Sequence, residues 1–202
     1  MKLSRRFLLA TLPGIALLGG ISSPAHASTE SARAFITLLG KETVDALQGP
    51  DAAAQKAAKM EDILRRGFDF QTIGRFVLGR YWNTATPQQR EEYLKVFADF
   101  VAKSYSRRLA EEATITGFNI NNVRDLGEGD TLVQTSITRP SGAPLNYEWR
   151  VRDRAGSPKI VDVIVEGVSL LVTQRSDFTS VAGQQGIDGL IANLRDKAAA
   201  IR

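Results

Sequence analysis

Apolar positions recur with a helical period through the first half of the chain and with a period of two through most of the second. From about Thr29 to Leu47, Phe35, Leu38, Leu39 and Leu47 fall on helical spacing. Gly49-Pro50 stops that segment, and Asp51 is placed to cap a second helix ending near Arg66, with Met60, Ile63 and Leu64 inward. Asp69 then caps a short apolar helix carrying Phe70, Ile73, Phe76, Val77 and Tyr81. From Pro87 to about Glu112 the stripe Tyr93, Leu94, Phe97, Phe100, Val101, Tyr105 and Leu109 marks a long amphipathic helix. Thr86 is its N-cap, Pro87 sits at its first position, and Gln89 completes a capping box.

After Ala113 the pattern alternates. Ile115 to Val123 reads as a strand, with Gly117 a candidate bulge. Thr131 to Thr138 follows the turn Gly127-Glu128-Gly129-Asp130 and sets Val133, Thr135 and Ile137 on one face. In the next strand Leu145, Tyr147, Trp149 and Val151 alternate with Asn146, Glu148, Arg150 and Arg152, which implies one buried and one wet face. Lys159 to Glu166 aligns Val161, Val163 and Val165. Short turns join these runs into an antiparallel meander of about four strands that ends at Gly167. Two helices follow, roughly Val168 to Ala182 and Ile187 to Ile201, separated by Gly183 to Gly186. Helices, then strands, then helices predict an α+β fold with a helix layer on one face of the sheet.

The first 27 residues break this pattern and read as an export signal. Lys2, Arg5 and Arg6 are followed by the apolar run Phe7 to Leu18 and by Ala25-His26-Ala27, an A-x-A cleavage site that makes Ser28 the new N-terminus. Ser4-Arg5-Arg6-Phe7-Leu8 also hints at twin-arginine export. Residues 28–202 then form a single domain, with no later run of 18 apolar residues and so an expectation of a soluble mature protein. The formal net charge of +4 falls with the leader, which holds three of the 26 basic residues and none of the 22 acidic ones. A remainder near +1 offers no electrostatic case for nucleic acid.

The chain has no cysteine, and its one histidine, His26, lies in the segment to be removed. Most acid–base, nucleophilic and transition-metal chemistry at neutral pH loses its usual groups. The sequence has no G-x-x-x-x-G-K-[ST], G-x-S-x-G or H-E-x-x-H. No cofactor or metal is therefore expected, and the carboxylates Glu111-Glu112 and Asp125 to Asp130 read as a solvated helix end and loop. One carboxylate leaves an enzymatic alternative open. Asp162 points to the face opposite Val161 and Val163; in an apolar cavity it is a candidate general base, and on an outer face it pairs with Lys159, Arg150 or Arg152. On composition the apolar faces favour a solid core over a cavity between sheet and helices, and periodicity does not separate the two because both need apolar inward faces.

Several spaced blocks resemble the MlaC family, also called the toluene-tolerance or ABC-transporter auxiliary-component family. They are Val77-Leu78-Gly79-Arg80-Tyr81-Trp82, Ala85-Thr86-Pro87 through Gln89-Arg90-Glu91 to Tyr93, Glu166-Gly167-Val168-Ser169, Gln174-Arg175, and Gly186-Ile187-Asp188-Gly189-Leu190. The resemblance spans about Phe68 to Leu194. It implies a periplasmic, non-enzymatic carrier of phospholipid between inner and outer membranes, with a related branch associated with hopanoids. It also implies partners in an inner-membrane ABC-transporter complex and an outer-membrane lipoprotein complex, and an apolar pocket between sheet and helices. Inward-facing positions supply the candidate lining: Val77, Phe97, Val101 and Tyr105 from helices, Val133, Ile137, Tyr147, Trp149, Val163 and Val165 from strands, and Leu171 at one end. A monomer is expected. The remaining alternatives are an enzyme acting through Asp162 on a hydrophobic substrate and an adaptor with a filled core.

Overall fold

Capping chemistry places the helices of the protein, for which a computed structural model describes residues 24–112 and 115–201. The charged and apolar parts of the expected leader, residues 1–23, and the switch of period at Ala113 lie outside the described residues. Helix α1 runs from Pro24 to Gln48 and α2 from Ala53 to Gly67. Asp51 does not cap α2, as its spacing suggested. Its carboxylate meets Lys59 at 2.5 Å, and the Gln55 side chain accepts from the Ala52 N–H instead. Asp69 does cap α3 (Phe70–Leu78), accepting from the Thr72 N–H at 2.9 Å. The expected Phe70–Tyr81 helix is broken at Gly79 (φ 58°, ψ −129°), and Tyr81–Thr84 forms a separate turn, α4. Helix α5 (Pro87–Glu112) opens on the predicted box: the Gln89 N–H donates to Thr86 Oγ1 at 3.2 Å, and the Thr86 N–H to Gln89 Oε1 at 3.0 Å.

Five antiparallel strands follow in chain order: β1 (Gly117–Gly127), β2 (Asp130–Thr138), β3 (Leu145–Arg154), β4 (Ser157–Val165) and β5 (Val168–Ser169). Three links are two-residue reversals with both residues at positive φ: Glu128-Gly129, Ala155-Gly156 and Glu166-Gly167. That backbone matches the twist of the strands it joins. The third reversal adds β5, so the sheet has one strand more than the alternation predicted. The irregularities of β1 fall at Asn121 and at Leu126 rather than Gly117. A third lies in β4: Asp162 pairs with Arg150 but Ile160 pairs with Val151, so Val161 is the extra residue and Ile160 takes its place on the inner face.

Two buried clusters stabilise the fold, where the apolar faces had suggested a single interior. In the first, α1 and α2 contribute Ala32, Ile36, Leu39, Met60 and Ile63 against Val133, Val151, Ile160 and Val163 of the sheet. Leu38, read as inward, is 53% exposed because the stripe of α1 runs through Ala32, Ile36 and Leu39. The second cluster joins α3, α5 and α6 (Leu170–Ala200) through Val77, Leu78, Tyr93, Phe97, Phe178, Leu190 and Leu194. The physical reason for two clusters is which helix covers the sheet: α1 packs along it, whereas α5 packs on α2, α3 and α6. The clusters meet where Phe68 of the first stacks on Phe70 of the second at 6.1 Å, beside the bridge of Phe68 to Ile160.

Candidate functional site

The inner face of the sheet is built by register. Across β2, β3 and β4, Val133 lies beside Trp149 and Trp149 beside Val163; one step along, Thr135 lies beside Tyr147 and Tyr147 beside Val165. Ile137 faces Leu145 and Phe118 in turn. Between Val133 and Val165 none of these inward positions carries a charge. The indole Nε1–H of Trp149 donates to Thr135 Oγ1 at 2.9 Å, and Tyr147 stacks on Trp149 at 5.7 Å with the rings 14° apart. The polar parts of this face are thus directed within the sheet, and the ring faces remain as apolar surface.

Burial falls from one end of this face to the other. At the end holding Thr131, Val133, Val151 and Ile160 every residue is at most 2% exposed. Here α1 is fastened by Ser31, whose hydroxyl donates to Asp153 at 2.8 Å, and by the contact of Ser28 with Thr131 at 3.2 Å. Asp130, at the start of β2, is buried on the opposite face of the sheet, its carboxylate held by Arg150 and Arg152. Burial by itself raises an acid, but hydrogen bonds from Arg152 and Arg150 and their charge outweigh it and hold Asp130 below the ordinary carboxylate range. At the opposite end Phe118, Ile137, Leu145, Tyr147 and Val165 are only half-buried. There α1 presents Gly40 to the Phe118 ring, so close that a Cβ would stand 2.5 Å from it. The apolar face is therefore sealed at one end and incompletely covered at the other.

All six strand residues expected as lining lie on this face: Val133 and Val163 at its sealed centre, Trp149 beside them, and Ile137, Tyr147 and Val165 toward the open end. The helix residues stand elsewhere. Val77 and Phe97 are fully buried in the helical cluster, and Val101 and Leu171 pack against it. Tyr105 is half-buried on α5; burial raises its hydroxyl, with Asp177 adding and Arg108 opposing. Sequence periodicity missed Phe118 and Ile120, although their alternation in β1 was available as a signal. It also missed Ala32 and Ile36, which no strand pattern points to.

Asp162 has neither environment that its position suggested. Lys159 donates to the Arg66 carbonyl, and Arg150 and Arg152 are engaged by Asp130. The Asp162 carboxylate instead accepts from the N–H groups of Val163 (2.8 Å) and Leu171 (3.2 Å) and from the Ser169 hydroxyl (2.8 Å). Three donors tie it to the hairpin that starts α6, which is a structural assignment and not that of a proton acceptor facing a ligand. Among the described residues no three His, Cys, Asp or Glu side chains group as a metal site.

Taken together, a helix-covered antiparallel sheet with an uncharged inner face and one open end defines an α+β domain whose distinctive surface is hydrocarbon-like. The chain belongs to the MlaC family, whose model, described as MlaC protein, matches residues 39–196. It is 28% identical over 134 residues to the intermembrane phospholipid transport system binding protein MlaC of Haemophilus influenzae. That alignment takes in 64% of this chain and spans 62% of the relative's length. The fold superposes with a TM-score of 0.71 on a phospholipid-binding protein from Ralstonia solanacearum solved in complex with a phospholipid. That match is 22% identical in sequence and covers 84% of this chain and 98% of the other.

Proposed function

We propose that this protein is a periplasmic carrier that holds the acyl chains of a phospholipid against the inner face of its sheet and moves the lipid between membranes. The observation that supports the reading is the uncharged apolar face, covered by α1 at one end and half-covered at the other. A diacyl lipid has roughly 30 methylenes, each contributing about 0.8 kcal/mol to staying out of water. Something on the order of 20 kcal/mol opposes its free transit, and non-directional apolar contact is the means to offset that without chemistry. The chain carries no nucleotide-binding motif, so direction is supplied by partners: an inner-membrane ABC-transporter complex and an outer-membrane lipoprotein complex. In this reading residues 1–27 are the export signal and residues 28–202 the working domain. Family membership, the phospholipid named for the Ralstonia solanacearum protein and the transport system named for the Haemophilus influenzae relative all support it.

The test is extraction of the purified protein followed by mass spectrometry. Wild-type protein should yield phospholipid or hopanoid. Val165→Glu, at the open end, should yield neither while keeping its circular dichroism spectrum, because a charge there meets no partner in the face. Undiminished loading of Val165→Glu would remove the sheet face from the function.

A further inference from the structure

Away from the sheet, α3, α4 and α6 enclose an open hollow of about 440 Å³ lined by Arg80, Arg175, Ser176, Thr179 and Ser180. Its two guanidiniums have no carboxylate partner among the described ion pairs. Arg80 donates to the Tyr81 hydroxyl at 3.0 Å, and Arg175 lies 4.8 Å over the Phe76 ring. Gly79 makes this possible, since a Cβ there would meet Arg175 Nε at 3.2 Å. Two more arginines lie on neighbouring elements: Arg75 of α3 and Arg90 of α5 stack on Trp82 of α4 at 5.7 and 5.2 Å, and Arg90 donates to the Trp82 carbonyl. Asp177, the nearest acid along α6, acts on Tyr105 of α5, on another face of the helix. Exposed apolar side chains stand beside these arginines: Phe76, under the Arg175 guanidinium, is 38% exposed, and Val172, one turn before Arg175 on α6, is 58% exposed. Val172, Arg175, Ser176 and Thr179 fall at i, i+3, i+4 and i+7, so one face of α6 carries both the apolar and the cationic parts.

We propose that this surface docks the protein on an anionic phospholipid membrane, with Arg80 and Arg175 meeting headgroup phosphates and Phe76 and Val172 entering the interfacial layer. The guanidinium forks of Arg80 and Arg175, with the Ser176 and Ser180 hydroxyls in the same hollow, match the several acceptor oxygens of a phosphate, whereas the Thr179 hydroxyl is taken up by carbonyls of its own helix. Exposed apolar residues beside unpaired arginines match a boundary that is charged outside and hydrocarbon within. An acidic protein segment would satisfy the arginines but leave the exposed apolar side chains unexplained. The inference extends the carrier reading, because it concerns how the protein reaches a bilayer rather than how it holds cargo.

Co-sedimentation tests it, with vesicles of phosphatidylcholine alone and of phosphatidylcholine mixed with phosphatidylglycerol. Wild-type protein should sediment with the anionic vesicles only, less so as salt is raised, and free inorganic phosphate at low concentration should not displace it. The double variant Arg80→Gln/Arg175→Gln should bind them about thirtyfold more weakly, and Phe76→Ser/Val172→Ser should also lose binding. Both should retain wild-type lipid content on extraction, which shows that they fold and separates this outcome from failure of the carrier reading. Equal binding of wild type and the arginine variant would overturn the proposal. So would equal binding to neutral vesicles, full displacement by free phosphate, or binding through these arginines to an acidic protein partner and to no vesicle.

Discussion

The Asp130 side chain is 3% exposed and meets guanidinium nitrogens of Arg150 and Arg152 at 2.5 and 2.6 Å. Its folded-state affinity for protons is depressed, so the stability it contributes is fully present above the ordinary carboxylate value and is lost as the pH falls through the lower folded one. Urea midpoints should therefore drop once the pH passes below about 4. Asp130→Asn should flatten that drop and cost about 1–3 kcal/mol near neutrality; the arginines reach water and so lose less than a fully buried pair would. At Phe97 the issue is packing. Its ring lies against Phe70, Tyr93 and Phe178, and Phe97→Ala should cost about 3–5 kcal/mol by chemical denaturation. The same variant should keep its lipid content when assayed well below its unfolding transition, in contrast to Val165→Glu, because Phe97 lies in the helical cluster and not on the sheet face proposed for lipid.

Helix α6 consists of two helical segments that meet at a kink, where Gly186 stands at φ 74° and ψ 178°. Nothing lies within 4 Å of a Cβ built there, so Gly186→Ala meets no neighbour and tests the backbone alone. It should cost about 1–3 kcal/mol in a thermal or urea melt. This break was legible in the sequence as the Gly183–Gly186 interruption, just as the α5 start was legible in Thr86, Pro87 and Gln89. Both depend on a few adjacent residues with fixed chemistry. Other elements were decided at a distance. The two residues of β5 are a strand only because the Glu166-Gly167 reversal brings Val168 back beside Val165. The displacement of Val161 by Ile160 follows from pairing with β3, which alternation along one strand cannot report.

For the molecule as a whole, the inward face of each strand was readable because a period of two assigns faces without further information. What covers each helix was not. Periodicity marks which side of α5 is apolar but does not say whether a sheet or another helix covers it, and here α2, α3 and α6 do. The placement of α1 on the sheet depended on small residues such as Ala32 and Gly40, which carry little pattern. The division into two clusters leads to a global expectation. Under the proposed carrier function, lipid on the sheet face would stabilise the folded state by mass action, by about 2.7 kcal/mol when free lipid is a hundredfold above its dissociation constant. Delipidated protein should melt at a lower temperature. Hydrogen exchange should show the difference in Phe118–Ile120 and Leu145–Tyr147, with little change across α3 and the first turns of α5. Uniform protection across both clusters would place the lipid elsewhere.

The tight reversals at Glu128, Ala155 and Glu166 bear on how the sheet comes into being. Because strands adjacent in the chain are adjacent in space, each can register on the one made just before it, and little loop entropy is lost in finding a partner. With no thiol to oxidise, that sequential zippering should run at the same speed in reducing and oxidising buffer.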